Sequence, residues 1–125
     1  MRQIRLVGLF ISISVVMLCV FAVAGQNQFG VADTYTVSFP ENVRVANALL
    51  PQGNYEVRHV MEGQDHIMVF HQIGARKPVE VRAKCTLVPL AEKAKGDQKI
   101  YLTNAANEWV LQELIFKGDS AKHVF

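Results

Sequence analysis

The chain has 125 residues, half of them apolar, with 13 Lys and Arg against 11 Asp and Glu and only two Cys. That length supports one domain with a real core and leaves no room for a second. The near-neutral balance gives no electrostatic reason to expect nucleic acid or an anionic membrane surface as a partner, and two cysteines cannot make a disulfide-built scaffold.

Residues 1–24 carry the order of a secretory signal. Arg2 and Arg5 form a basic head, residues 6–21 are an apolar run, and Ala22-Val23-Ala24 supplies the small-x-small pattern before a cleavage point. Cleavage near Ala24 places the mature chain in the periplasm or outside the cell. The second reading is an uncleaved anchor, because the apolar run approaches the roughly 17–25 residues of a membrane span. In that case the chain meets a membrane through this segment alone. Cys19 follows Leu18 inside the apolar run, which is not the setting of a lipid-modified cysteine. Cleavage also removes Arg2 and Arg5, leaving eleven basic against eleven acidic residues. Residues 25–32 read as a flexible leader, and residues 33–125 as a single domain.

From residue 34 onward the dominant pattern has a period of two, as expected when side chains alternate between the faces of a half-buried strand. Tyr35, Val37 and Phe39 alternate with Thr34, Thr36 and Ser38. Tyr55, Val57, His59 and Met61 alternate with Glu56, Arg58 and Val60. Residues 66–73 are apolar on both sides, as in a central strand, and residues 79–87 alternate without a break. Cys85 falls there on the apolar side with Val79, Val81, Ala83 and Leu87, so it reads as a buried thiol. Residues 100–103, 108–116 and 121–125 complete the set. Trp109, Val110, Ile115 and Phe116 favour a strand over a helix in the second of these. Residues 90–99, rich in Lys and Ala, read as a loop with one helical turn. Turns are expected at residues 51–54, 62–65, 74–78, 104–107 and 117–120, where Gly, Pro, Asn and Asp gather. Short strands at this spacing predict an all-β fold, an antiparallel sandwich or small barrel of about seven to eight strands.

The segment Val43-Arg44-Val45-Ala46-Asn47-Ala48-Leu49-Leu50-Pro51-Gln52-Gly53-Asn54-Tyr55-Glu56-Val57 resembles a recurring element of small secreted bacterial proteins of uncharacterised function. These share a short strand, then Leu-Pro-x-Gly-x-Tyr-x-Val, then a β-rich remainder, often with a Val-Phe terminus. The resemblance implies export and a β-rich fold. It implies no catalytic residue.

Catalytic motifs are missing. Ser38 and Ser120 are the only serines after the signal, and neither stands in a Gly-x-Ser-x-Gly elbow. Glu62 and Asp65 share a hairpin tip, where solvated turn residues are the ordinary reading. The chain therefore reads as a non-catalytic binding or assembly module whose partner is a protein or polymer outside the cytoplasm; a small enzyme without a recognisable motif is the remaining alternative.

Two clusters are candidates for binding. If residues 62–65 close a hairpin, Met61 faces His66 and His59 faces Met68, and all four side chains share one face. Imidazole and thioether together suit copper, Cu(I) especially. The other reading of that face is core, since it continues into Tyr55, Val57 and Phe70. A loop one residue longer or shorter would split the two pairs between opposite faces. His71 falls on the opposite face and His123 near the terminus. The second cluster is Tyr101 and Trp109, which flank the turn at residues 104–107. Exposed, they would form a stacking platform for a sugar ring or a partner side chain; buried, they would plug the core.

Overall fold

A computed structural model describes residues 29–125; the export signal expected over residues 1–24, and the leader up to residue 28, lie outside the described residues. The described chain forms nine strands: β1 (Thr34–Phe39), β2 (Val43–Val45), β3 (Ala48–Leu50), β4 (Gly53–Glu62), β5 (Asp65–Ile73), β6 (Glu80–Pro89), β7 (Gln98–Thr103), β8 (Trp109–Ile115) and β9 (Ala121–Val124). They belong to one hydrogen-bonded sheet in the order β1-β4-β5-β6-β9-β8-β2-β3, with β7 on β8. Every pairing is antiparallel except β2 with β8.

The sheet does not close, but it curls until β1 at one edge meets β7 and the residue just beyond β8. Tyr35 of β1 stacks on Phe116, just beyond β8, with ring centroids 3.7 Å apart. Lys99 of β7 donates to the carbonyl of Ser38 in β1. The concave face encloses the core, which includes Phe39, Leu50, Tyr55, Met68, Phe70, Leu111 and Leu114. Each such side chain, fully buried, contributes roughly 1.5–3 kcal/mol, so burial rather than covalent bridging holds the fold. Tyr55 is fully buried and donates its hydroxyl to the Pro51 carbonyl at 2.6 Å, which satisfies the one polar atom it brings inside.

The alternation read from the sequence becomes the burial pattern. In β4, Tyr55, Val57 and His59 are buried while Glu56 and Arg58 are exposed. In β5, Ile67, Met68, Val69 and Phe70 are all buried. On the convex face, Val69 lies in register between Arg58 and Arg82, and Ile67 between Val60 and Lys84. Long aliphatic stems are the usual cover for apolar positions so placed.

Several details differ from the sequence reading. There are nine strands among the described residues, not seven or eight. The extra one is β3, which pairs with β2 through a two-residue hairpin at Ala46 and Asn47, both at positive φ (49° and 66°). Alanine gives no hint of that conformation, because it is disfavoured there. Residues 90–97 contain no helical turn. Their amides are used elsewhere: Leu90 donates to Ser120 and Ala94 to Asp119, while Ala94 accepts from Gly118.

Residues 29–32 of the expected leader are packed. Val31 is fully buried, and the Gly30 carbonyl accepts from Ser120 at 2.8 Å. Gly30 adopts φ +73°, and a Cβ there would lie 3.0 Å from that of Ser120. The position therefore suits glycine for both conformation and space.

Candidate functional site

The curled sheet has two ends with different chemistry. Thr34 pairs with Arg58 and Phe39 with Gly53, so the hairpin tip of β4 and β5 marks one end and the β1–β2 loop the other.

At the hairpin end the expected register holds. Glu62 pairs with Asp65 across Gly63 and Gln64, Met61 faces His66, and His59 faces Met68. Gly63 takes φ +62°, as the first position of a tight primed turn requires. The four residues share a face but not an environment. Met68 is fully buried and His59 nearly so, whereas Met61 is 40 % exposed. The two imidazoles bond each other directly, His59 Nε2 to His66 Nδ1 at 2.9 Å, and Phe29 packs edge-on against both rings. Among the described residues, no three His, Cys, Asp or Glu side chains are placed to hold a metal ion. His71 lies on the exposed side, 3.8 Å from Glu80.

His123 joins this cluster, which its place near the terminus did not suggest. It is fully buried, with its ring centred 5.8 Å from that of His59. Its Nδ1 lies 3.8 Å from Cys85 Sγ, and its Nε2 lies 3.4 Å from the Tyr35 hydroxyl. Tyr35 in turn donates to Asp119 Oδ2 at 2.5 Å, and the amide of Ala32 reaches Asp119 Oδ1 at 3.4 Å. One proton arrangement satisfies the chain: thiol to Nδ1, Nε2–H to the tyrosine oxygen, tyrosine O–H to the carboxylate. Every hydrogen then points towards Asp119, the one strong acceptor in the set.

Cys85, His123 and Asp119 thus line up as nucleophile, base and acid would, but their electrostatics oppose that use. Burial pushes the Cys85 thiol up to about 11. Burial, with the neighbouring His59 and His66, pushes His123 down to about 4. The proton stays on sulfur, whereas nucleophilic cysteines need the thiolate. Burial also lowers His59, helped by the charge of His66, and burial raises both Tyr35 and Asp119.

The opposite end is open. Trp109 and Tyr101 lie on the same face of β8 and β7 as the core residue Leu111, but one step beyond it. Tyr101 pairs with Leu111 and Thr103 with Trp109, making the two aromatic residues diagonal neighbours. Their rings meet edge to face at 5.4 Å. A bulge in β8, with a register shift at Ile100 and Tyr101, sets this alignment. On its other side Trp109 pairs in parallel with Val43. The backbone of Trp109 is paired on both flanks, while its indole is 43 % exposed. The two aromatic residues divide between the readings the sequence allowed: Trp109 is exposed, whereas Tyr101 is half-buried against the core.

Two hollows flank Trp109. One, of about 370 Å³, is lined by polar side chains, among them Asn42, Arg44, Gln52, Asn107 and Glu108, with Leu49 at its edge. The other, of about 250 Å³, lies between Pro40, Val43, Tyr101 and Trp109, and Glu41 borders both. Arg44 Nε donates to Glu108 Oε2 at 2.7 Å, and Asn104 Nδ2 to Glu108 Oε1 at 3.2 Å. These two hydrogen bonds, Arg44's first, hold the Glu108 carboxyl below its ordinary range. The turn that carries Asn107 is fixed by Asn104 Oδ1, which accepts from the amides of Ala106 and Glu108. The loop beneath is fixed by Asn42 Oδ1, which accepts from the Gln52 amide at 2.9 Å. Trp109 and Tyr101 were legible in the sequence; Arg44, Gln52 and Glu108 were not, because they meet only after β2 has paired with β8.

No protein-family model matches this chain, and no characterised protein or solved structure is measurably similar to it.

Proposed function

We propose that this chain is an exported, non-catalytic binding module, working in the periplasm or outside the cell, and that its ligand seat is the cleft around Trp109. The observation that carries this reading is an indole braced edge-to-face by Tyr101, 43 % exposed, between two hollows of about 370 and 250 Å³. The larger falls within the roughly 300–1,000 Å³ of small-molecule sites. An aromatic ring beside a few fixed polar groups is the usual make-up of such sites. The export signal read in residues 1–24 supports the location. The curled sheet serves as a barrel-like scaffold whose buried histidine network at the hairpin end supplies stability and whose Trp109 end supplies recognition. The absence of an activated nucleophile in the Cys85–His123 pair favours binding over catalysis.

The test is binding of the purified domain to the envelope and medium fractions of the cells that make it. Trp109→Ala is expected to weaken that binding at least tenfold while the melting temperature stays within a few degrees. Unchanged binding by a folded Trp109→Ala variant would overturn the assignment of the seat.

A further inference from the structure

We infer that the Trp109 cleft takes a neutral oligosaccharide, an inference that rests on the cleft being the ligand seat. Three features of the site select this chemistry. The first is its division into an apolar and a polar side. Pro40, Val43 and Tyr101 border the indole on one side, and amide, guanidinium and carboxylate groups border it on the other. A ligand filling both needs an apolar face and a hydroxyl-rich edge on one rigid body, and a pyranose ring has both. Its axial C–H groups lie flat on an indole while its equatorial hydroxyls project sideways.

The second feature is the inventory of polar groups. Adjacent hydroxyls are best met by planar groups that can both give and accept hydrogen bonds, or do so in pairs. Arg44 uses only its Nε on Glu108, so its terminal amino groups remain for a ligand. The side-chain amides of Gln52 and Asn107 and the carboxylate of Glu41 have no side-chain partner among the described residues and line the same hollow. Asn42 Oδ1 is occupied by the Gln52 amide, which leaves its NH₂ free to donate.

The third is charge. Arg44 is matched by Glu108, and Glu41 adds a second carboxylate. The lining therefore carries a surplus negative charge, which disfavours uronic acids, phosphates and peptide carboxylates. Hollows on both sides of the ring allow neighbouring sugar units to run across Trp109, so a chain of several units suits the cleft better than a single one.

Trp109 is the only tryptophan in the chain, so its fluorescence reports on this cleft and nowhere else. The experiment titrates the purified protein with cello-, chito- and malto-hexaose, with an oligogalacturonate of matched length, and with unstructured peptides rich in Lys or in aromatic residues. The expected result is a saturable emission change with at least one neutral hexasaccharide. Oligogalacturonate should bind at least tenfold more weakly, and Gln52→Ala and Glu108→Gln should each weaken binding severalfold. Gln52→Ala is the cleaner variant, because that side chain supports no internal bond. A response to oligogalacturonate or peptide alone would overturn the saccharide assignment while leaving Trp109 as the seat. Silence towards every probe, together with envelope binding that survives Trp109→Ala, would overturn both.

Discussion

The two ends of the curled sheet use polar residues in opposite ways. At the hairpin end, His59 bonds His66, and Cys85, His123, Tyr35 and Asp119 form a second bonded chain packed beside them. No buried polar side-chain atom among the described residues lacks a partner. At the Trp109 end the strong pair, Arg44 and Glu108, is only about one-third exposed, but the side-chain amides of Gln52 and Asn107 beside it have no side-chain partner among the described residues. Residue types rich in chemical potential are thus spent on holding the structure at one end, while ordinary amides and one indole face outward at the other. Buried polar groups need partners at a penalty of about 1–3 kcal/mol for each one left unsatisfied, so the hairpin end is the more sensitive to chemical change. Histidine and cysteine content alone points to the hairpin end, and the exposed indole to the other.

Acid gives the sharpest contrast. His123 titrates at about 4 in the fold against 6.5 for the free side chain. Between those values the unfolded chain binds a proton that the folded chain refuses, so stability is full above pH 6.5 and falls as the pH drops towards 4. The difference corresponds to about 3 kcal/mol. His59, also lowered, acts in the same direction. Asp119 has the opposite sign: its raised carboxyl binds a proton more readily folded than unfolded, which offsets part of the loss at the acid end of the window. His66, Tyr35 and Cys85 complete the groups facing His123. Urea denaturation at pH 7.5 and 4.5 is expected to show the drop, and His123→Gln should shrink it. A slope unchanged by that substitution would break the assignment of acid sensitivity to this end.

Next in size is Tyr35→Phe, which removes one oxygen. That oxygen donates to Asp119 and lies within reach of His123 Nε2, so both partners are left unsatisfied inside the fold. A loss of about 1–3 kcal/mol is expected in denaturant unfolding, with the stacking of the ring on Phe116 retained. A loss below about 0.5 kcal/mol would mean that solvent takes over the bonds and that the end is less closed than its burial suggests.

What the sequence disclosed follows from the range of the interactions involved. Alternation over residues 34–39, 55–61 and 79–87 is local, and it located β1, β4 and β6. Gly63 fixed the turn, and the turn fixed which residues face each other along the hairpin. The pairing of β2 with β8 has no local signature, so the bond between Arg44 and Glu108, 64 positions apart, was not legible. His123 was missed for the same reason: its partners Cys85 and Tyr35 lie 38 and 88 positions away. Ala46 hid the β2–β3 hairpin because a tight primed turn normally announces itself with Gly or Asn at that place. Tyr101 and Trp109 were found because a short turn joins their strands, but nothing local decides whether such rings face inward or out.

The smallest expected effect is the most discriminating, because it sets a whole indole against a single oxygen. Trp109 is held by Tyr101 and by the backbone pairing of β8 with β2 and β7, yet nearly half its surface is already in water. Replacing it by alanine removes area that was never fully buried and leaves no sealed cavity, because hollows already open on both sides. The strand pairings involve the backbone and survive the change. A loss of about 1 kcal/mol or less is expected, well under the 3–5 kcal/mol typical of large aromatic residues deleted from a core. Tyr35→Phe should therefore destabilise the protein as much as or more than Trp109→Ala, although it removes one atom instead of a bicyclic ring. The reverse order, measured by denaturation of the two variants side by side, would show that Trp109 is a structural plug. The open end would then belong to the core and would have no indole to offer a ligand.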